Sequence, residues 1–498
     1  MQSFKEKFTI FFLTVLKFLM IILIPASFGA IFFAHIFLSA ENLIRSIIIV
    51  TLIMIGIILI EFYIIRKNFS YKKQIYLILF CGFIIRALWL LNINSFPTSD
   101  YMIIYESAQD FLNGSTSMFW GSSYIARFPH LTIMVFYMAL MIKIFPANNI
   151  LMIKLVNLAL GVLTIYIIYL IVKEIFNSNK KGIYAASLAT IFPPLVTYTG
   201  VFCTENIAIP LYLLSVYIFI LVLRGKKNKY YLILSGLMLS LGNLFRMVAT
   251  IMIVAYAIYI IIYSKDKIVH KIRNIALYSI PYFMLLFLVS FTLQSLKITE
   301  FPLWEGSEPK ITNVLKGTNI ESIGRWNEED ASIPEKYNYD YEEIKEASVE
   351  IIKERLTTTP PLKLISFYVK KFAMQWGIGD FEGTHWTKSF VPQEDIVLDV
   401  SLEVSQTIYS IMMILVFLGI LNRKNNKENE EINLFYIMLC GYGVMYLVTE
   451  AQGRYSYIIS WVFIILAVEG INFILNKFDI DIKKGFSKRD ISKYERNL

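Results

Sequence analysis

Two acids and three arginines stand where an apolar chain could use them for chemistry. Asp100 lies in NSFPTSDYMIIYESAQDFLNG (94–114), and Glu205 in VFCTENIAIPLYLL (201–214). The basic residues are Arg127 in ARFPH, Arg246 in LGNLFRM and Arg454 in EAQGRY. Each has an ordinary explanation when taken alone. A carboxylate at a helix start complements the positive end of the helix dipole, and an arginine at a helix end reaches lipid phosphate while its stem stays in the apolar layer. On one membrane face the five would do more, because arginine presents a rigid fork of donors that suits a phosphate anion. Two carboxylates from separate segments would then meet beside that anion.

The elements that must bring them together are membrane helices. The chain has 498 residues, of which 56% are hydrophobic and 17% charged. It contains repeated apolar runs of about 20 residues, the length that crosses a bilayer as helix. The opening MQSFKEKF and the apolar run after it exceed a signal peptide and show no small-residue cleavage site, so they read as a retained first span. Cys81, Cys203 and Cys440 show neither paired nor metal-ligand spacing, which argues against a disulfide framework or a zinc site. The net charge of +9 is spread in short blocks between apolar runs rather than gathered on one nucleic-acid-binding face, so the blocks serve as topology markers.

Spans are expected at roughly 8–38, 43–65 and 75–92, with the basic RKNFSYKK on the cytoplasmic side between the second and third. The apolar stretch 130–145 has 16 residues and reaches only about 24 Å. If it crossed, KEIFNSNKK and RGKKNK would fall outside; if it lies on or re-enters the membrane, both fall inside. The second arrangement is expected, with further spans at 150–175, 182–199, 204–223, 231–246, 249–263, 274–296, 404–421, 433–449 and 454–475. The total is about 12 spans with both termini cytoplasmic. Asp100, Glu205, Arg127, Arg246 and Arg454 then share the extracytoplasmic face of this cell-membrane protein.

Between Asp100 and Leu112 the apolar residues recur at helical spacing, with Thr98 or Ser99 as N-cap and Asn113-Gly114 as the stop. This predicts an amphipathic helix on the outer surface. The long segment 297–403 carries two helical patterns separated by Pro360-Pro361 and is expected as a helical cap. The organisation expected is two extra N-terminal helices over 1–74, a transmembrane core over 75–296 with its first outer loop at 94–149, the cap over 297–403, C-terminal helices over 404–475 and a basic cytoplasmic tail over 476–498. Trp89, Trp120 and Trp376 suit interfacial belts or substrate grooves.

From about residue 75 to 475 the chain resembles polytopic glycosyltransferases of the GT-C fold, in particular bacterial relatives of the protein O-mannosyltransferases and aminoarabinose transferases. The resemblance is carried by PTSDYMIIYESAQDFLNG, ARFPH with the short apolar helix ending in IFP, TYTGVFCTENIAIPLYLL, SGLMLSLGNLFR and EAQGRY, in that order. It implies an all-α membrane bundle with outer amphipathic helices and a cap. It also implies a polyprenyl-phosphate sugar donor, inversion at the anomeric carbon, and a glycan, lipid or protein acceptor. By position Asp100 resembles the catalytic carboxylate and Glu205 the acid facing it, while Arg246, Arg127 and Arg454 fall to the donor phosphate. Tyr105, Glu450 and His385 are added as cavity residues, His385 with a structural role as its alternative. Several relatives follow the catalytic acid with a second acid or an arginine; here Tyr101, Met102 and Ile103 follow, which leaves the phosphate ligands and any divalent metal open. The rival reading is a transporter or flippase of lipid-linked saccharides, which would place its informative charges near the membrane midplane. No internal repeat supports it.

Overall fold

The computed structural model describes residues 4–35, isolated positions between 52 and 65, 69–387, 396–423, 429–475 and 477. The expected span at 43–65 and the basic tail at 476–498 therefore lie largely outside the described residues. Among those described, helices account for all regular structure. This follows from the composition, because an apolar segment in lipid must satisfy its backbone groups internally.

Among the described residues six helices are long and apolar enough to cross a membrane: Phe4–Ala30, Tyr71–Asn92, Asn149–Phe176, Glu205–Leu223, Ile268–Ser295 and Ser401–Asn422. The chain is a multi-pass membrane protein of all-α build. Counting each bent pair as one span raises the number to eight, against the expected 12 or so. One expected span, 43–65, lies largely outside the residues counted, and the others that differ do so locally. The expected span at 182–199 breaks at Pro193-Pro194 into Asn179–Ile191, Pro193–Thr197 and the 3-10 turn Tyr198–Gly200. Tyr231–Phe245, Thr250–Tyr263 and Ile432–Val448 are apolar but shorter. The final segment bends by 63° between Gly453–Ile459 and Trp461–Leu475.

The 130–145 stretch forms Thr132–Ile144, whose 13 residues extend about 20 Å. A corner at Phe128-Pro129 turns it 109° from the preceding Ser117–Arg127. The amphipathic helix Asp100–Leu112 buries Tyr101, Ile104 and Ala108 and packs on Thr132–Ile144. Glu205–Leu223 packs between Tyr231–Phe245 and Asn149–Phe176. Tyr231–Phe245 in turn lies so close to Ile268–Ser295 that a Cβ on Gly236 would sit 2.0 Å from the Tyr278 carbonyl oxygen. The first helix, Phe4–His35, packs on Ile396–Asn422 and on the cap helix Pro361–Gly377, and Gln406 donates to the Ser27 carbonyl at 2.8 Å. It is built into the bundle rather than appended to it.

Within 297–403 the described helices are Ile311–Gly317, Glu328–Ala331, Ile333–Lys336, Tyr341–Thr358, Pro361–Gly377 and Gly383–Trp386. They close a small core of Leu315, Ile333 and Ile344. Beside it the buried Asp330 takes Arg355 at 2.7 Å and Asn319 at 3.1 Å. Pro361–Gly377 turns Phe367, Phe372 and Trp376 inward, and Trp376 meets Tyr446 and Phe463 of the bundle.

Candidate active site

One cavity of about 780 Å³ lies between the bundle and the cap. Asp100, Glu205, Arg127, Arg246, Arg454 and Glu450 all line it. They come from five separate stretches of chain, so the bundle has assembled them.

Asp100 opens the helix Asp100–Leu112, and its side chain remains 28% exposed to the cavity. The expected cap by Ser99 is not made. Ser99 has φ +49° and no side-chain bond to the helix, and Tyr101 N–H instead donates to the Thr98 carbonyl at 3.0 Å. A serine held at positive φ directly before a cavity carboxylate is local strain of the kind that gathers at functional sites. Arg454 Nη2 donates to Asp100 Oδ2 at 2.7 Å, and Tyr124 faces the same carboxylate.

Glu205 begins the helix Glu205–Leu223. The turn before it is pinned by Asn157, whose amide donates to Thr199 and Val201, and by Asn206, whose amide donates to Tyr198 and Val201. Thr204 does not cap the helix through its hydroxyl; that hydroxyl donates to Glu205 Oε2 at 3.0 Å. Arg246, at the end of Tyr231–Phe245, brings Nε within 3.2 Å of Glu205 Oε1. Its carbonyl accepts the Tyr212 hydroxyl, which fixes the backbone there.

Tyr455 joins the two halves. Arg246 lies 5.0 Å and Arg454 5.4 Å from its ring centre, and Arg454 also stacks over Trp386 at 4.5 Å. Aromatic faces hold guanidinium groups in place without consuming their N–H donors. The loop that carries Trp386 is shaped by Asp380, whose carboxylate accepts Glu382 N–H and Thr384 N–H. Burial pushes the Asp380 carboxyl up from the usual range.

Arg127 is committed elsewhere. Its Nε and Nη2 both reach Glu308 Oε2, at 2.8 and 2.5 Å. Glu308 also takes the Thr312 hydroxyl at 2.6 Å and lies 3.9 Å from Lys316. Glu450 takes the Gln452 amide. Tyr105 and His385 are not brought to the cavity lining. Tyr105 lies on the flank of its helix and donates to Asn149 at 2.9 Å, while His385 packs edge-on against Trp386.

Sequence reasoning missed Glu308, Tyr455, Tyr124, Lys310 and His130, although His130 closes the ARFPH motif and lines the cavity with Lys310; Trp386, singled out beside His385, lies under Arg454. Proximity to Arg454 was the only sequence signal for Tyr455. Glu308 is one of many acids in the long cap and carried none.

No group of three or more His, Cys, Asp or Glu side chains able to hold a metal occurs among the described residues. Three of the cavity acids are engaged by an arginine, Asp100 by Arg454, Glu205 by Arg246 and Glu308 by Arg127.

Residues 130–293, which include Glu205 and Arg246, match the family model for dolichyl-phosphate-mannose-protein mannosyltransferases. That stretch is about a third of the chain, and over it the sequence is similar to these enzymes. Among solved structures the chain is similar to the archaeal oligosaccharyltransferase AglB from Archaeoglobus fulgidus in complex with an inhibitory peptide and a dolichol-phosphate. That similarity has 13% identity and a TM-score of 0.43, covering 84% of this chain and 52% of that one. The Archaeoglobus fulgidus oligosaccharyltransferase with zinc and sulfate gives 14% identity and 0.43 over 81% and 50%, and its apo form 11% and 0.44 over 84% and 52%. The chain spans about half the length of that protein. No curated protein matches its sequence.

Proposed function

We propose that the protein is an inverting glycosyltransferase. It moves a sugar from a polyprenyl-phosphate donor to an acceptor hydroxyl at the extracytoplasmic face, in building a cell-envelope glycan, lipid or glycoprotein. The observation that carries this reading is the convergence of Asp100, Glu205, Arg246 and Arg454 on one cavity between the bundle and the cap. The placement of basic blocks between spans supports cytoplasmic termini and an outward-facing site.

In the proposed reaction Asp100 accepts the acceptor hydroxyl proton as that oxygen attacks the anomeric carbon. The bond from that carbon to the phosphate oxygen breaks, and polyprenyl phosphate leaves with the electron pair. A positioned carboxylate base contributes about 10²- to 10⁴-fold. The leaving phosphate passes from diester to monoester and gains negative charge, so fixed cations stabilise it more in the transition state than in the donor.

Arg246 is the residue best placed for this. Its terminal nitrogens donate to no residue among those described, and its single close acid is Glu205. Glu205, with a side chain 5% exposed, holds the guanidinium from behind. Arg454 orients Asp100, and Arg127 ties the cap to the cavity wall through Glu308.

The test is transfer by the purified protein in liposomes supplied with different polyprenyl-phosphate sugars, with the anomeric configuration of the product read by NMR. Inverted product from at least one donor supports the reading. Turnover with retained configuration, or saccharide-lipid translocation without transfer, contradicts it.

A further inference from the structure

The loop Thr449–Ser456 carries Glu450, Gln452, Arg454 and Tyr455 to the cavity; the adjoining helix Ile432–Val448 holds its ends, with Tyr446 donating to the Tyr455 carbonyl at 2.6 Å and Thr449 to the Met445 carbonyl, and the cap holds its middle. Its backbone is gripped by the cap. Glu450 N–H donates to Asn313 O at 2.9 Å and Ala451 N–H to Gly324 O at 2.7 Å.

The strongest grip comes from one face of Pro361–Gly377. Lys371 is fully buried, and its ammonium donates to three backbone carbonyls, Gly317 at 2.6 Å, Leu447 at 2.9 Å and Thr449 at 2.7 Å. Four residues on, and so on the same helix face, the buried Gln375 donates to the Gln452 carbonyl and the Ser456 hydroxyl, both at 2.7 Å, and its own carbonyl accepts from Ser456 at 3.0 Å.

A buried ammonium is costly unless each of its donors is used. Here all three are. Two of the acceptors, Leu447 and Thr449, lie at the C-terminal end of Ile432–Val448, where a helix leaves carbonyls unpaired and carries partial negative charge. The third, Gly317, belongs to the cap. Burial pushes the Lys371 amine down to about 7 while Glu450 acts the other way. The packing leaves no slack: a Cβ on Gly324, at φ +74°, would lie 2.7 Å from Lys371 Cε, and one on Gly317 would lie 2.4 Å from the Val448 carbonyl oxygen.

We infer that Lys371 and Gln375 are positioning residues that splint the Thr449–Ser456 loop to the cap and so set the register of Arg454 against Asp100. They touch no reacting atom. Their effect on turnover, which rests on the proposed transfer reaction, passes through the loop. Misplacing a catalytic constellation by about 1 Å costs on the order of 10²-fold in rate.

The test has two arms, run on Lys371→Met and Gln375→Leu in the full-length protein. In hydrogen exchange, the amides of 449–456 should lose about tenfold or more of their protection in both variants while Trp461–Leu475 keeps its own. In turnover with a polyprenyl-phosphate mannose probe, each variant should lose about 10- to 100-fold, and in an Arg454→Ala background that further loss should shrink to under about threefold, as expected for residues acting through one element.

Uniform loss of protection across the protein, or unchanged exchange at 449–456, would overturn the splint; so would losses that multiply with Arg454→Ala. Should Lys371→Met fail to accumulate, Gln375→Leu decides both arms alone. Should the wild-type protein transfer nothing from the probe, the exchange arm still decides the splint, and only the transfer reading suffers.

Discussion

The two walls of the cavity are built differently. The bundle wall places its groups at helix ends: Asp100 and Glu205 at helix starts, Arg246 at a helix end. Helix ends at a membrane surface are fixed by where the apolar run stops, so these groups are held by the bilayer and the bundle together. The cap wall places Glu308, Lys310 and Lys316 on short turns around Ile311–Gly317, held by hydrogen bonds to residues distant in sequence. On the proposed reading, chemistry belongs to the first wall and alignment to the second.

Substitutions on the two walls should therefore fail in different ways. Asp100→Asn removes the base and leaves its size unchanged; transfer should fall by about 10²- to 10⁴-fold with normal accumulation in membranes, read as initial rate per folded protein. Arg246→Ala should weaken donor binding by about tenfold or more, and Arg246→Lys should restore little of it because lysine lacks the planar fork. The check is a direct binding titration with a polyprenyl phosphate. On the cap wall, Glu308→Gln leaves Arg127 and Lys316 without their shared acid. It should lower the thermal midpoint by about 2–4 °C while donor affinity stays within about threefold. Equal losses in rate and affinity from Glu308→Gln would erase the distinction between the walls. The smallest effect is expected for Tyr105→Phe, within about twofold in rate, since Tyr105 bonds Asn149 away from the cavity.

The same division explains what could be read from sequence. That Asp100, Glu205, Arg246 and Arg454 would come together in one cavity was legible because hydropathy sets helix ends and the charged loops order the spans. The helix Asp100–Leu112 was legible from its spacing, although its cap was not: Ser99 adopts a positive φ that composition does not reveal. The break of the expected 182–199 span at Pro193-Pro194 was not legible, because hydropathy joins the two apolar runs, whereas the short 130–145 helix was set apart from the spans by its length. Glu308, Lys371 and Gln375 were not legible, because their partners lie 181, 54 and 77 residues away and polar side chains in a long cap look alike. Arg127 was read as a phosphate ligand for want of Glu308, which now claims two of its nitrogens.

The central claim is that the cavity separates donor binding from proton removal, with Arg246 serving the first and Asp100 the second. Measuring donor binding and single-turnover transfer side by side in Asp100→Asn tests it most directly. The account predicts donor affinity within about threefold of wild type and transfer reduced by about 10² or more. Wild-type transfer in that variant, or affinity and rate falling together, would contradict it.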